Sequence, residues 1–353
     1  MDKRNVIICK DLKVELEAYL HELKFDKVFI LTDENTFKNC YPVLQEVEML
    51  SQAPVFTVGA GDIHKNIEEV AGLWTRLCEH GASRNTLLIN LGGGMITDMG
   101  GFVGATFKRG LQTINIPTTL MASVDAAVGG KTGINFNGLK NEIGSFYPPL
   151  CVFIYNKFLH TLDRANILSG YAEMIKHALI SSKEVYDDVF SYDPDCGDSD
   201  QLDRLVAQSV AIKERIVEED PKERGIRKAL NLGHTIGHAY ESLSFKKNTP
   251  LLHGHAVAAG LVGELYLSHK VCGFPMQVLS QVVYYLKDYY SPFIHDCDDY
   301  ETLYELMTHD KKNEGGIINF TLLSNIGEVQ INQSVDKQDI LGALDFYRES
   351  FGI

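Results

Sequence analysis

The sequence predicts an α/β N-terminal domain with a Rossmann-like, mostly parallel sheet, followed by a mainly α-helical C-terminal domain. Three observations lead there. Short apolar runs alternate with amphipathic helical stretches through the first 155 residues, an order that yields parallel strands covered by helices. Beyond about residue 156 long helical periodicities dominate. The chain has 353 residues, a length that usually divides into about two domains. The expected division is 1–155, an α/β domain, and 156–353, a helical domain.

The elements follow in order. Residues 5–9 form a short apolar run with charges on both sides, which reads as a strand and not as a signal peptide. Further strands are expected at 27–32, 54–58, 86–90, 112–116 and 152–155, with helical stretches between several of them, such as 66–80. Ligands of such sheets sit at the carboxyl ends of the strands. In the second domain helices are expected at 170–182, 199–219, 226–243, 255–272 and 276–289, a clear strand at 317–323 and a weaker one at 328–331. The acidic stretch 192–200 reads as a solvated loop. There is no internal repeat and no low-complexity tract.

Composition narrows the function. Hydrophobic residues make up 45% and charged residues 23%, which excludes a disordered chain. The formal net charge of −14 argues against a nucleic-acid binder, whose footprint is basic. It leaves room for an anionic small molecule in a local basic pocket. No stretch is long and apolar enough for a transmembrane helix. The seven cysteines are scattered, without a CxxC pair, so reduced thiols and a cytoplasmic location are expected.

Four segments can carry chemistry. The strand at 86–90 runs into Gly92-Gly93-Gly94-Met95, where a backbone without side chains can approach a ligand and the next helix offers its N-terminus to phosphate. This is not the ordinary dinucleotide fingerprint, because Thr97 stands at the third glycine and no acidic residue follows about 20 positions on. A tight structural turn is the alternative. Asp33, at a strand end, can accept a bond from a sugar hydroxyl or cap a helix. Gly129-Gly130-Lys131-Thr132 suggests a phosphate loop, but Asp125 stands where the P-loop needs its first glycine. Lys131 on a glycine turn still suits a phosphate or carboxylate, as does the nearby pair Lys140-Asn141. A solvated surface turn is the other reading.

Histidine spacing is the strongest signal. His234 and His238 lie at i and i+4 on one helical face. His253 and His255 are two apart and cannot both face the same point, so at most one joins them. Glu173 can add a carboxylate, giving two histidines and a carboxylate with an open position, a catalytic zinc pattern. His177 shares a face with Glu173 and reads as structural. Lys213 and Arg227 fall within apolar helical stretches, which suits a pocket for an anion.

Together these motifs resemble the 3-dehydroquinate synthase family, sugar-phosphate cyclases of the shikimate pathway. The segments are GGGMITDMGGFVGATFKRG (92–110), PTTLMASVDAAVGGKTGIN (117–135), KNEIGSFY (140–147), SGYAEMIKHALI (169–180), GIRKALNLGHTIGHA (225–239), LHGHAVAAG (252–260) and HDKKNEGG (309–316). The resemblance implies a metal, zinc or cobalt, on Glu173, His234 and His253. It implies NAD on Asp33, Asn35, Asp62, Lys65, Gly93, Gly94, Met95, Asp98, Thr118, Thr119, Lys140 and Phe158 to Thr161. Substrate would meet Asp125, Lys131, Asn141, Lys176, Lys213, Arg227, Leu230, Asn231, His238 and one of Lys311 and Lys312. Glu223 and His238 match the acid/base positions, with Lys131 and Asn231 beside them as catalytic. Arg109 matches a phosphate-binding arginine that reaches a neighbouring subunit, so a homodimer is implied.

The implied reaction converts 3-deoxy-D-arabino-heptulosonate 7-phosphate to 3-dehydroquinate and phosphate through transient oxidation, phosphate elimination, re-reduction, ring opening and aldol closure. The chain departs from the family at His255, commonly Glu; at Asp62, a shorter acid than usual; and at Leu162-Asp163 and Arg164-Ala165-Asn166. The rivals are a cyclase for another sugar phosphate, a metal-dependent polyol dehydrogenase, and a non-catalytic NAD-binding regulator.

Overall fold

A computed structural model describes residues 6–137, 139–308 and 318–353. The chain forms two compact units, Met1–Asp163 and Arg164–Ile353. Residues 156–163 fall in the first unit, where Phe158 packs into the core.

The first unit runs β1 (Val6–Ile8), α1 (Leu12–Glu22), β2 (Val28–Asp33), α2 (Glu34–Asn39), α3 (Tyr41–Gln45), β3 (Val55–Val58), α4 (Ile67–Glu79), β4 (Leu87–Gly92), α5 (Gly94–Thr106), β5 (Gln112–Pro117), β6 (Lys131–Phe136), β7 (Leu139–Phe146) and β8 (Cys151–Ile154). Six strands pair in the order β1-β8-β5-β4-β2-β3, every pair parallel. All residues of β4 are buried, as a parallel strand covered on both faces requires.

Alternation along each strand divides the core. Ile30, Leu87, Ile89, Ile114 and Phe153 pack with Leu12, Leu16 and Leu20 of α1. Phe29, Leu31 and Leu88 pack with Val70, Leu73 and Leu77 of α4. The six expected strands are those of this sheet. The strand order reverses between β2 and β4, so the carboxyl ends bearing Asp33 and Gly93 flank the switch point where such sheets bind ligands.

One element lies outside the expected strands. Lys131, at the end of the glycine turn, opens β6 of an antiparallel hairpin with β7. Gly129 and Gly130 make the turn, with φ of 106° and 66°. The hairpin is mostly exposed and rich in Lys, Asn and Gly, so it lacks the apolar signature of a strand.

The second unit contains α6 (Arg164–Leu179), α7 (Lys183–Phe190), α8 (Ser199–Glu219), α9 (His234–Lys246), α10 (His253–Cys272), α11 (Met276–Tyr289), α12 (Tyr300–Thr308), an antiparallel pair β9 (Asn319–Asn325) and β10 (Glu328–Ser334), and α13 (Lys337–Phe351). The helix expected over 226–243 is interrupted. Ile226–Asn231 forms a 3-10 segment, Gly233 turns left-handed at φ 79°, and α9 starts at His234. The helix expected from 255 begins earlier, at His253, because the Leu252 carbonyl accepts the His255 and Ala256 N–H groups. Helices α6, α9 and α10 pack closely. A Cβ on Gly254 would lie 1.8 Å from the Ser169 carbonyl oxygen, so only glycine fits at that crossing.

Candidate active site

Helices α6, α9 and α10 of the second unit bring Glu173, His234 and His253 together. Glu173 is fully buried. Its Oε2 accepts a short ion-pair bond from Lys176 Nζ, one turn on, and Lys176 is itself 1% exposed. Its Oε1 lies 3.6 Å from His234 Nε2 and 3.6 Å from His253 Nε2. Ligands about 2.1 Å from a tetrahedral ion are about 3.4 Å apart, so this donor set fits a divalent zinc-like ion.

The outward ring nitrogens are held. His234 Nδ1 meets the Leu232 carbonyl at 3.0 Å, and His253 Nδ1 meets Glu241 Oε2 at 3.2 Å. Such partners fix the ring orientation of a metal-binding histidine. Burial holds the His234 pKa well below its usual value despite the Glu173 charge. For His253 burial pulls the same way, but the Glu241 and Glu173 carboxylates outweigh it and push the pKa up to about 10.

His238, one turn beyond His234, belongs to the same cluster, its ring 5.3 Å from that of His234 and 5.7 Å from that of His253. The three histidines alone could also hold an ion. The Glu173 oxygen equidistant from two imidazoles favours Glu173, His234 and His253 as the donor set. His255 points elsewhere, its Nε2 3.0 Å from the Ala165 carbonyl. His177 is buried, its Nδ1 2.6 Å from Ser209 Oγ.

Lys213 on α8 and Arg227 on the 3-10 segment are 5% and 1% exposed. Arg227 Nη1 donates to the Pro221 carbonyl at 2.8 Å. Asp220 ties the turn before it, accepting N–H bonds from Arg224, Gly225 and Arg227. Glu223 sits in that turn at φ 56° and accepts a 3.1 Å bond from Asn231 Nδ2. A residue without glycine's freedom held left-handed marks a constrained site. Leu230 is buried beside them. Lys311 and Lys312 lie outside the described residues.

In the first unit Asp33 Oδ1 caps α2, accepting the Asn35 and Thr36 N–H groups at 2.8 and 2.9 Å. Gly93 caps α5 without a side-chain bond, and a Cβ there would sit 3.0 Å from Thr119 Cγ2. Thr118 N–H donates to the Gly92 carbonyl at 3.0 Å, and Thr119 Oγ1 accepts the Ala122 N–H at 3.1 Å. Met95 packs at the edge of the core.

Lys65, 4% exposed, bonds Asp98 Oδ2 at 2.6 Å and also Asn141 Oδ1. Lys140 pairs with Asp62 at 3.4 Å. Asn141, assigned to substrate by resemblance, thus shares the Lys65 cation with Asp98, and both Lys65 and Asp98 are assigned to NAD. Phe158 lies in the core and Thr161 Oγ1 donates to its carbonyl at 2.7 Å. Asp125 stands in a π-helical turn, Ala122–Ala126. Arg109 is exposed, with Lys108 and Arg109 both left-handed at φ 48° and 70°.

Sequence reasoning missed Asp220 and Glu241. Glu241 follows His234 and His238 at i+7, on the same face of α9, and that spacing could have found it.

Residues 55–169 match the family described as 3-dehydroquinate synthase N-terminal, and residues 170–313 match 3-dehydroquinate synthase C-terminal. A 3-dehydroquinate synthase of Parabacteroides distasonis is 70% identical over the whole of both chains. Two solved structures share the fold at low identity. A 2-epi-5-epi-valiolone synthase from Streptomyces hygroscopicus with NAD+ and Zn2+ has a TM-score of 0.87 at 22% identity, covering 99% of this chain and 98% of that one. A 2-deoxy-scyllo-inosose synthase with carbaglucose-6-phosphate, NAD+ and Co2+ has a TM-score of 0.85 at 23% identity, covering 98% and 96%.

Proposed function

The chain belongs to the 3-dehydroquinate synthase family, and from that premise we propose how its residues divide the conversion of 3-deoxy-D-arabino-heptulosonate 7-phosphate to 3-dehydroquinate and phosphate, its reaction in the shikimate pathway. The observation that carries the assignment is the Glu173 oxygen set 3.6 Å from two histidine nitrogens in a unit that also buries Lys176, Lys213 and Arg227. A metal centre in a unit that carries these cations suits an alcohol that bears anionic groups. A simple polyol dehydrogenase has no need of them.

NAD, when bound, takes up and returns a hydride, while a divalent zinc or cobalt ion polarises the reacting oxygen. The protein's residues do the rest. Glu173, His234 and His253 hold the ion, with Lys176 and Glu241 fixing their orientation. Asp33 accepts from a ribose hydroxyl, and Gly93 and Gly94 admit the pyrophosphate to the start of α5. Asp62, Lys65, Asp98, Lys140, Thr118, Thr119 and the 158–161 segment complete the nucleotide site.

Lys131, Asn141, Lys213, Arg227, Leu230 and Asn231 orient the substrate's carboxylate and phosphate, with Asp125 on its hydroxyls. His238 and Glu223 move protons at the carbons and oxygens that change. The enzyme works in the cytoplasm as a homodimer in which Arg109, presented to solvent by its left-handed loop, serves the phosphate of the other subunit.

The test supplies purified protein with zinc or cobalt, a trace of NAD and the heptulosonate phosphate. Phosphate release should exceed the NAD present many times over, without lasting NADH absorbance. NADH accumulating in proportion to substrate, with no phosphate, would point to a dehydrogenase.

A further inference from the structure

Helix α9 starts at His234, so the first residue of the helix is already a member of the metal triad. The residue before it, Gly233, is left-handed and brings no side chain to cap the exposed N–H groups. That task falls to Glu264, three turns into α10 and fully buried. Its Oε2 accepts the Gly233 N–H at 2.6 Å and its Oε1 accepts the Ile236 N–H at 3.0 Å. One carboxylate therefore joins the start of the helix bearing His234 and His238 to the helix opened by His253. A negative charge at a helix N-terminus is favourable, more so where water does not screen it. The His234 ring leans on the same turn through the Leu232 carbonyl.

We propose that Glu264 is a positioning residue for the metal centre. It acts through the first turn of α9, setting where His234 Nε2 stands relative to Glu173 and His253. This inference rests on the metal site assigned above. The neighbouring Ser268 supplies a control on the same helix, because its Oγ donates to the Glu264 backbone carbonyl at 2.7 Å and accepts the Leu323 N–H at 3.0 Å, remote from the α9 cap.

The experiment measures the zinc dissociation constant of full-length, metal-free protein by competition with a chromophoric chelator, and the visible spectrum of the cobalt form. In Glu264→Gln an amide NH2 faces one of the two N–H donors. Zinc affinity should fall about 10- to 100-fold, the usual effect of losing a residue that supports a ligand, and the cobalt bands should shift. Ser268→Ala should stay within twofold of the parent. Glu264→Asp, which keeps the charge with a shorter reach, should show an intermediate loss and covers the case in which Glu264→Gln does not fold. Parent-like zinc affinity in either Glu264 variant overturns the inference alone. A parent that binds no zinc overturns the site assignment and the inference together.

Discussion

Gly260→Ala tests the packing that holds the two histidine-bearing helices at their distance. A Cβ at position 260 would lie 2.1 Å from the Gly233 carbonyl oxygen, 2.6 Å from Gly237 N and 2.9 Å from Gly237 Cα. All three atoms are backbone, so no side chain can swing aside. Comfortable contact needs about 3.5 Å, so α9 and α10 must part by on the order of 1 Å. Overpacking of this kind costs about 1–3 kcal/mol, and backbone contacts place it at the upper end. Alanine recovers about 1 kcal/mol of helix propensity over glycine. The net loss of about 2 kcal/mol lowers the Tm of a unit this size by roughly 4–8 °C. The metal site is more sensitive, because ligand distances tolerate only about 0.2 Å, so zinc affinity should fall at least tenfold. Scanning calorimetry of the metal-free protein and chelator competition read the two effects. An unchanged Tm with parent-like zinc affinity would refute the reasoning.

Other expectations address the site directly. His234→Ala should abolish zinc binding and activity while the circular dichroism stays native, whereas His255→Glu should keep both, since His255 bonds Ala165; loss of zinc uptake in His255→Glu would reverse the choice between His253 and His255. With the His253 pKa raised to about 10 in the metal-free protein, the ring is protonated at neutral pH. Zinc must displace that proton, so affinity should rise as pH increases towards 10. Calorimetry in buffers of different ionisation heat should find about one proton released per zinc at pH 7.5; no release would contradict the protonated ring. Arg109→Ala chains mixed with His234→Ala chains should regain activity in verified heterodimers, and no regain would remove Arg109 from the neighbouring subunit's site.

Local order is readable from residue spacing. The apolar runs of β2 and β4 suit strands covered on both faces, and the His234–His238 repeat suits one helix face, because each depends on neighbours a few positions apart. Helix α13 carries the same kind of signal in Ile340, Ala343, Leu344 and Tyr347, although it is not among the expected elements. Other features have no local signature. The β6–β7 hairpin exists because each strand supplies the other's backbone bonds, not because its residues favour strands. The break at Gly233 looks like any glycine within a helical pattern until Glu264, 31 residues later, is seen to cap the start of α9. Asp33 offers the same atoms to a helix start or a sugar, and the fold commits Oδ1 to the helix. Glu241 and Glu264 act across helices whose approach is set by glycines at their crossing. Spacing along the chain selects which side chains share a face; only the packing of one helix against another decides which faces meet, since that depends on contacts between residues far apart in sequence.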